Sequence, residues 1–256
     1  MTRKCSICGA EYKTKEFIIG GRKVGEIEIP ACNCEFQKYE KEQKQRELEK
    51  KIQQIKDKTD ILKKELNCPL MSPLFQTKTF EHIVEINKTI NSEYEKNLNR
   101  CIEYAKEFNK DSKGLFMIGN VGTGKTTLQA CIIHELEKRG KICLLINFST
   151  LLDLCIKSCS FDAKQSIFQI LNTLSKFDYV VLDDIGREKY TDKRLEFAFR
   201  VVDSLMNHNV TVSLTANPEC FQKLGKIEEY KAIIDRLRFM CPEQMVFSNE
   251  SFRGAL

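Results

Sequence analysis

The chain has no run of 18 consecutive apolar residues, which argues against a membrane-spanning helix. Its opening residues, Met1-Thr2-Arg3-Lys4-Cys5, lack the apolar stretch of a secretory signal. Together these absences predict a soluble cytoplasmic protein with no membrane partner. Charge of one sign is not in large excess either. With 41 basic and 36 acidic residues the net charge is +5, compatible with a nucleic-acid partner but not an indication of one. Glycine and proline are missing from residues 35–66, so nothing there interrupts a helix.

Apolar residues are plentiful. They make up 42 % of 256 residues, enough for one domain of ordinary size plus an appendage. Cysteine is abundant for a cytoplasmic chain, with 12 copies. Eight of them (Cys68, Cys101, Cys131, Cys143, Cys155, Cys159, Cys220 and Cys241) are scattered through apolar or helical patterns, where a free thiol acts as a small buried hydrophobe. The other four form the pairs Cys5-x-x-Cys8 and Cys32-x-Cys34.

Two close cysteine pairs flanking a short β-like stretch suggest a four-thiolate Zn²⁺ site. Gly9 suits the tight turn of such a knuckle. Phe17-Ile18-Ile19, Gly20-Gly21 and Ile27-Glu28-Ile29 read as a hairpin between the pairs. A segment of about 35 residues cannot bury enough apolar surface to fold alone, and a metal would supply the deficit. The competing readings are unrelated thiols or a disulfide, the latter disfavoured in a reducing compartment. No histidine or open position accompanies the four sulfurs, so the metal would be structural.

From 35 to 66 Lys, Glu and Gln dominate. Leu48, Ile52, Ile55, Thr59, Leu62 and Leu66 follow spacings of 4, 3, 4, 3 and 4, a narrow helical stripe. A short coiled coil, a helix laid on a partner and a solvated spacer all fit. Asn67-Cys68-Pro69 and Ser72-Pro73 break the helix. The expected organisation is a zinc-binding domain at 1–35, a helical connector at 36–68 and a nucleotide-binding domain at 69–256.

Gly119-Asn120-Val121-Gly122-Thr123-Gly124-Lys125-Thr126 fits the phosphate-loop pattern G-x-x-x-x-G-K-[ST] at every fixed position. An apolar run precedes it and a helical pattern with Leu128, Ile132, Ile133 and Leu136 on one face follows. Glycines let backbone N–H groups cradle phosphate oxygens, and the positive end of the helix favours their charge. Lys125 is expected to reach the β- and γ-phosphates and the Thr126 hydroxyl to hold Mg²⁺. Further strands are expected at 142–148, 179–182, 210–215 and 245–247 beside the first at 115–118, an α/β pattern with a parallel sheet.

Tyr179-Val180-Val181-Leu182 ends in Asp183-Asp184, a strand delivering two carboxylates. Asp183 is expected beside Mg²⁺ and Asp184 free to orient or deprotonate a water. Leu214-Thr215-Ala216-Asn217 ends a further strand, and Asn217 is a candidate for the attacking water or the γ-phosphate. The competing reading of Asn217-Pro218 is a turn start.

These motifs resemble the DnaC/DnaI-type helicase loaders among the AAA+ ATPases, a part of the DnaC/IstB-like ATP-binding family. Residues 119–127 (ending in Thr127), Val180-Val181-Leu182-Asp183-Asp184-Ile185-Gly186, Thr215-Ala216-Asn217, Ile234-Asp235-Arg236-Leu237 and the closing Ser251-Phe252-Arg253-Gly254 carry the resemblance, which spans residues 79–256. It implies an AAA+ phosphate-loop fold with a parallel sheet flanked by helices, preceded by a small zinc-ribbon-like domain that contacts the helicase. It implies Arg236 as the arginine finger that reaches a neighbouring subunit, with Arg238 as a competing candidate. Arg253 would be a second phosphate-sensing arginine. Too few residues follow Leu237 for the full helical lid of many AAA+ proteins.

The resemblance further implies ATP hydrolysis, self-association into a spiral or ring, a replicative DNA helicase as partner, and single-stranded DNA as ligand. The segment 151–177, with Lys157, Ser158, Phe161 and Lys164, is the candidate for DNA. An amphipathic helix pair with Leu152, Ile156, Phe168 and Leu171 in the core explains the same residues. The alternative function is an IstB-like transposition helper that binds duplex DNA. A small-molecule kinase is less well matched, because no acceptor pocket or lid arginines are evident.

Overall fold

The computed structural model describes residues 4–19, 22–66, 73–86, 92–187 and 191–252. Gly20-Gly21, the helix-breaking residues 67–72 (Cys68 among them) and Arg253-Gly254 lie outside the described residues. The chain divides into two compact units, Met1–Gln53 and Gln54–Leu256.

In the first unit, β1 (Tyr12–Ile19) and β2 (Arg22–Pro30) form an antiparallel hairpin, with Tyr12 opposite Pro30 and a register shift at Phe17/Ile18. Helix α1 (Cys34–Glu65) follows, as the missing glycine and proline allow. Its residues up to Gln53 belong to the first unit and the rest to the second.

The second unit continues with α2 (Pro73–Gln76), α3 (Phe80–Ile86), α4 (Ser92–Glu107), β3 (Leu115–Gly119), α5 (Lys125–Lys138), β4 (Cys143–Asn147), α6 (Phe148–Lys157) and α7 (Ile167–Leu174). It ends with β5 (Tyr179–Ile185), α8 (Asp192–Asn207), β6 (Thr211–Ala216), α9 (Pro218–Leu224), α10 (Lys231–Met240) and β7 (Glu243–Phe247). The five strands β3 to β7 form one parallel sheet in the order β4-β5-β6-β3-β7.

Strand alternation splits the core into two layers. Phe116, Leu144, Ile146, Val180, Leu182, Val212 and Leu214 face one cluster, with α6 to α10. Leu115, Met117, Cys143, Tyr179, Val181, Met245 and Phe247 face the other, with α3 to α5. Both faces are covered, so the strands read as continuous apolar runs. The expected strands match the observed ones apart from their ends. The largest difference is at β5, which continues through both aspartates because Asp183 still pairs with Asn147 of β4.

The later half of the connector stripe has a partner in its own chain. Leu62 and Leu66 are buried in the cluster that holds Leu144 and Leu205, and Ile55 packs against it. Thr59 is buried and its hydroxyl donates to the Ile55 carbonyl. For residues 55–66 this corrects the coiled-coil, partner-docked and spacer expectations: an apolar stripe records that a face is buried, not against what. The Leu48 side chain lies outside the described residues. No described helix is long and apolar enough to cross a membrane.

Truncating a buried stripe residue therefore tests the fold directly. Leu66→Ala is expected to destabilise the protein by about 2–5 kcal/mol. Ile61→Ala, on the exposed side, is expected to change stability by less than about 1 kcal/mol. Urea unfolding of the full chain measures both.

Candidate functional site

The loop between β3 and α5 lies at the carboxyl edge of the sheet, where parallel α/β sheets bind ligands. Gly124 precedes α5 with φ of 91°, and no side chain caps the helix. A Cβ at Gly124 would lie 2.9 Å from the Tyr94 ring, so both the backbone and its neighbour demand glycine there. The uncapped N–H groups are a ready anion site. Lys125 Nζ arches over the loop and donates to the carbonyls of Gly119 at 2.8 Å and Asn120 at 2.7 Å and to the Thr123 hydroxyl at 3.2 Å.

Thr126 Oγ donates to Asp183 Oδ1 at 2.9 Å, which brings the two residues expected to share Mg²⁺ into contact. Thr215 Oγ donates to the same oxygen at 2.6 Å. Burial pushes the Asp183 carboxyl above its usual range, and the adjacent Asp184 adds to this while the two hydroxyls oppose it. A buried carboxylate with hydroxyl neighbours is a hard-oxygen set that fits a divalent cation. Asp184 has φ of 57°, donates its N–H to Thr215 Oγ at 2.9 Å, and pairs its carboxylate with Arg187 at 3.0 Å. For Asp184 to act on a water, as expected of it, the Arg187 contact would have to be exchanged. The Asn217 side chain accepts from the Glu219 N–H at 3.0 Å and caps α9, which is what Asn-Pro at a turn start suggests.

The segment after β7 returns to the loop. Phe252 donates its N–H to the Gly122 carbonyl at 2.9 Å, and its ring meets Tyr94 edge-on at 5.0 Å. Sequence reasoning missed Tyr94 and, although Thr215 stands in a family motif, gave its side chain no role. Tyr94 sits on an amphipathic helix and reads as ordinary core. The contact of Thr215 with the acidic pair is found only by knowing that β6 lies beside β5.

Arg236 lies on α10 facing α8. Its Nε is 3.3 Å from Asp203 Oδ1 and its guanidinium sits 4.5 Å from the Phe199 ring. Arg238 is exposed, with no ion pair or hydrogen bond among the described residues. In the segment 151–177, Phe161 and Phe168 are exposed while Leu152 is buried. That corrects the placement of Phe168 in the core. A cavity of about 490 Å³ lies here, lined in part by Lys64, Lys157 and Lys164.

The four N-terminal thiols converge in the first unit. The Cys5 N–H donates to the Ala10 carbonyl and the Gly9 N–H to the Cys5 carbonyl, and Gly9 takes φ of 75°, forming the expected knuckle. The hairpin brings residues 32 and 34 alongside, and the Sγ atoms of Cys5, Cys8, Cys32 and Cys34 all lie within 4.8 Å of one another. Tetrahedral thiolates around zinc stand about 3.8 Å apart, given Zn–S of about 2.3 Å. The Ala10 N–H, then the Cys32 and Cys34 thiols, hold Cys8 down to about 7. The cluster fits a tetrahedral metal. Of the scattered cysteines, Cys101, Cys131, Cys143, Cys155 and Cys241 are buried, as expected; Cys220 is half-buried and Cys159 exposed.

The parallel sheet, the loop and the Thr126–Asp183 contact define a phosphate-loop nucleotide-binding fold. Within that class, the family described as IstB-like ATP binding protein matches residues 38–255, and the chain belongs to it. The cysteine pairs precede the matched region. A curated relative, the replicative helicase loader DnaC of Buchnera aphidicola subsp. Baizongia pistaciae (strain Bp), is 26 % identical over 205 residues, covering 79 % of this chain and 76 % of the relative. The crystal structure of the DnaC helicase loader superposes with a TM-score of 0.57 at 19 % identity, over 69 % of this chain and 100 % of that one. The crystal structure of DnaI gives 0.57 at 21 % identity, over 70 % and 95 %. At these identities the two structures attest the fold.

Two outcomes follow from the site. A carboxyl whose folded pKa is raised binds protons more tightly in the folded state, so its contribution is favourable at low pH and is lost as pH rises through the folded value. Asp183→Asn keeps an acceptor for both threonines and removes that penalty. It is expected to stabilise the nucleotide-free protein at pH 7 by about 0.5–2 kcal/mol in urea unfolding, although it removes a carboxylate from the site. Purified protein is expected to carry about one zinc per chain, falling below about half in Cys32→Ser, by metal analysis.

Proposed function

We propose that this protein is an ATP-dependent loader that places a replicative DNA helicase on single-stranded DNA. The observation that carries the proposal is the similarity of four fifths of the chain to a protein named replicative helicase loader. Lys125, the N–H groups of residues 119–127 and the start of α5 would bind the phosphates of ATP. Thr126 and Asp183 would hold Mg²⁺, which supplies charge neutralisation at the phosphates when bound. Asp184 would orient or deprotonate the attacking water after exchanging its Arg187 contact, with Asn217 as a further polar group at the strand end.

Arg236 would act in trans on a neighbouring subunit's γ-phosphate, leaving Asp203 to do so, and would link turnover to assembly. Arg238 is the competing finger, and its lack of a described partner supports keeping it in the comparison. Arg253 follows the residue whose N–H donates to Gly122, which supports a nucleotide-sensing role. Residues 1–35 would hold Zn²⁺ and grip the helicase, with 36–68 as connector and 69–256 as the ATPase. Phe161 and Phe168 are exposed in the segment whose cavity is lined in part by Lys64, Lys157 and Lys164, which supports base stacking and phosphate contact with single-stranded DNA. Loss of the γ-phosphate would then release one conformation for another.

The family's description as IstB-like favours a second reading, a transposition helper that binds duplex DNA. One assay separates the two: ATP turnover with and without single-stranded DNA, duplex DNA and the cognate replicative helicase. The loader reading expects stimulation by single-stranded DNA or helicase, lost by about 100-fold or more in Lys125→Ala. Stimulation by duplex DNA alone overturns it in favour of the transposition helper. Turnover indifferent to every addition overturns both.

A further inference from the structure

Thr215 is fully buried near the end of β6, and its hydroxyl makes two bonds at once. It donates to Asp183 Oδ1 at 2.6 Å and accepts the Asp184 N–H at 2.9 Å. A hydroxyl offers one proton and two lone pairs, so neither bond displaces the other. The accepted N–H belongs to a residue at φ of 57°, a left-handed conformation uncommon outside glycine. The pairing of β5 with β6 breaks register at this same point, between Leu182 and Ile185.

The turn is closed from its far side by α9. Gly186 has φ of 95°, and a Cβ on it would lie 2.9 Å from the Cys220 carbonyl carbon. The two carboxylates therefore leave the pleat at a turn held by a strand hydroxyl on one side and a helix backbone on the other. Thr126 and Thr215 both donate to Oδ1 of Asp183. Among the described residues, no hydrogen bond uses Oδ2.

We infer that Thr215 is a positioning residue for the acidic pair: its hydroxyl fixes the rotation of the Asp183 carboxylate toward Thr126 and holds the Asp184 turn. The inference rests on the proposed reading of this site as an ATP and Mg²⁺ site. Without the hydroxyl, Asp183 loses the shorter of its two described bonds and the Asp184 N–H loses its acceptor. Asn217, two residues on, does not substitute, because its side-chain oxygen is engaged at the start of α9.

The test uses the full chain and two conservative substitutions. Thr215→Val keeps the shape and removes the hydroxyl; Thr215→Ser keeps the hydroxyl. Binding of a fluorescent ATP analogue is titrated with Mg²⁺, and kcat and KM are measured alongside. In Thr215→Val the Mg²⁺ needed for half-maximal binding is expected to rise, and kcat to fall, by about 10–100-fold, with KM moving less than about threefold. Thr215→Ser is expected to restore both. Wild-type Mg²⁺ dependence in Thr215→Val overturns the inference, as does a Thr215→Ser variant as impaired as the valine. If Thr215→Val does not fold, Thr215→Ala beside Thr215→Ser makes the same comparison. Lys125→Ala separates the two levels. If it binds the analogue like wild type, the nucleotide reading fails and takes the inference with it. If Lys125→Ala is impaired and Thr215→Val is not, only the inference fails.

Discussion

A single carboxylate buried at the carboxyl edge of the sheet orders everything around it. Asp183 joins three elements through one oxygen: its own strand, the first turn of α5 through Thr126, and the neighbouring strand through Thr215. Removing a charged group from water is unfavourable unless it is hydrogen-bonded or paired. The sheet order brings both donors to it from the same side, since β6 lies beside β5 and the loop after β3 opens one strand further along. The residue gives up stability in this position and becomes suited to a cation, a compromise common where a site is built into a core.

Much of the second unit was legible because its chemistry is local. A strand covered on both faces is a continuous apolar run, and a loop shaped for phosphate carries its glycines and lysine in eight consecutive residues. The knuckle was legible for the same reason, since Cys5, Cys8 and Gly9 fall within one turn. What the sequence hid depends on register and packing between distant segments. Thr215 meets Asp183 only because β6 lies beside β5. Arg236 meets Asp203 and Phe199 because α10 lies on α8. The stripe from Ile55 to Leu66 announced burial without naming the surface it covers, and Phe168 matched a helical period yet points outward.

The two units obey different physics. The second has a two-layer core around a sheet and needs no metal to close it. The first has a hairpin, the front of a helix and four converging thiols, with little apolar surface among its described side chains. The family match begins at residue 38, and the thiol cluster lies ahead of the matched region.

Phe252 offers an optical handle on the loop. The chain has no tryptophan. An indole introduced at position 252 would be the sole one in the molecule, held by its own backbone to Gly122 and seated against the Tyr94 ring. Tyrosine emission transfers to an indole at such separations, so the pair would form an energy-transfer couple beside the phosphate loop. Its colour and lifetime would follow the loop's surroundings in real time without any attached dye.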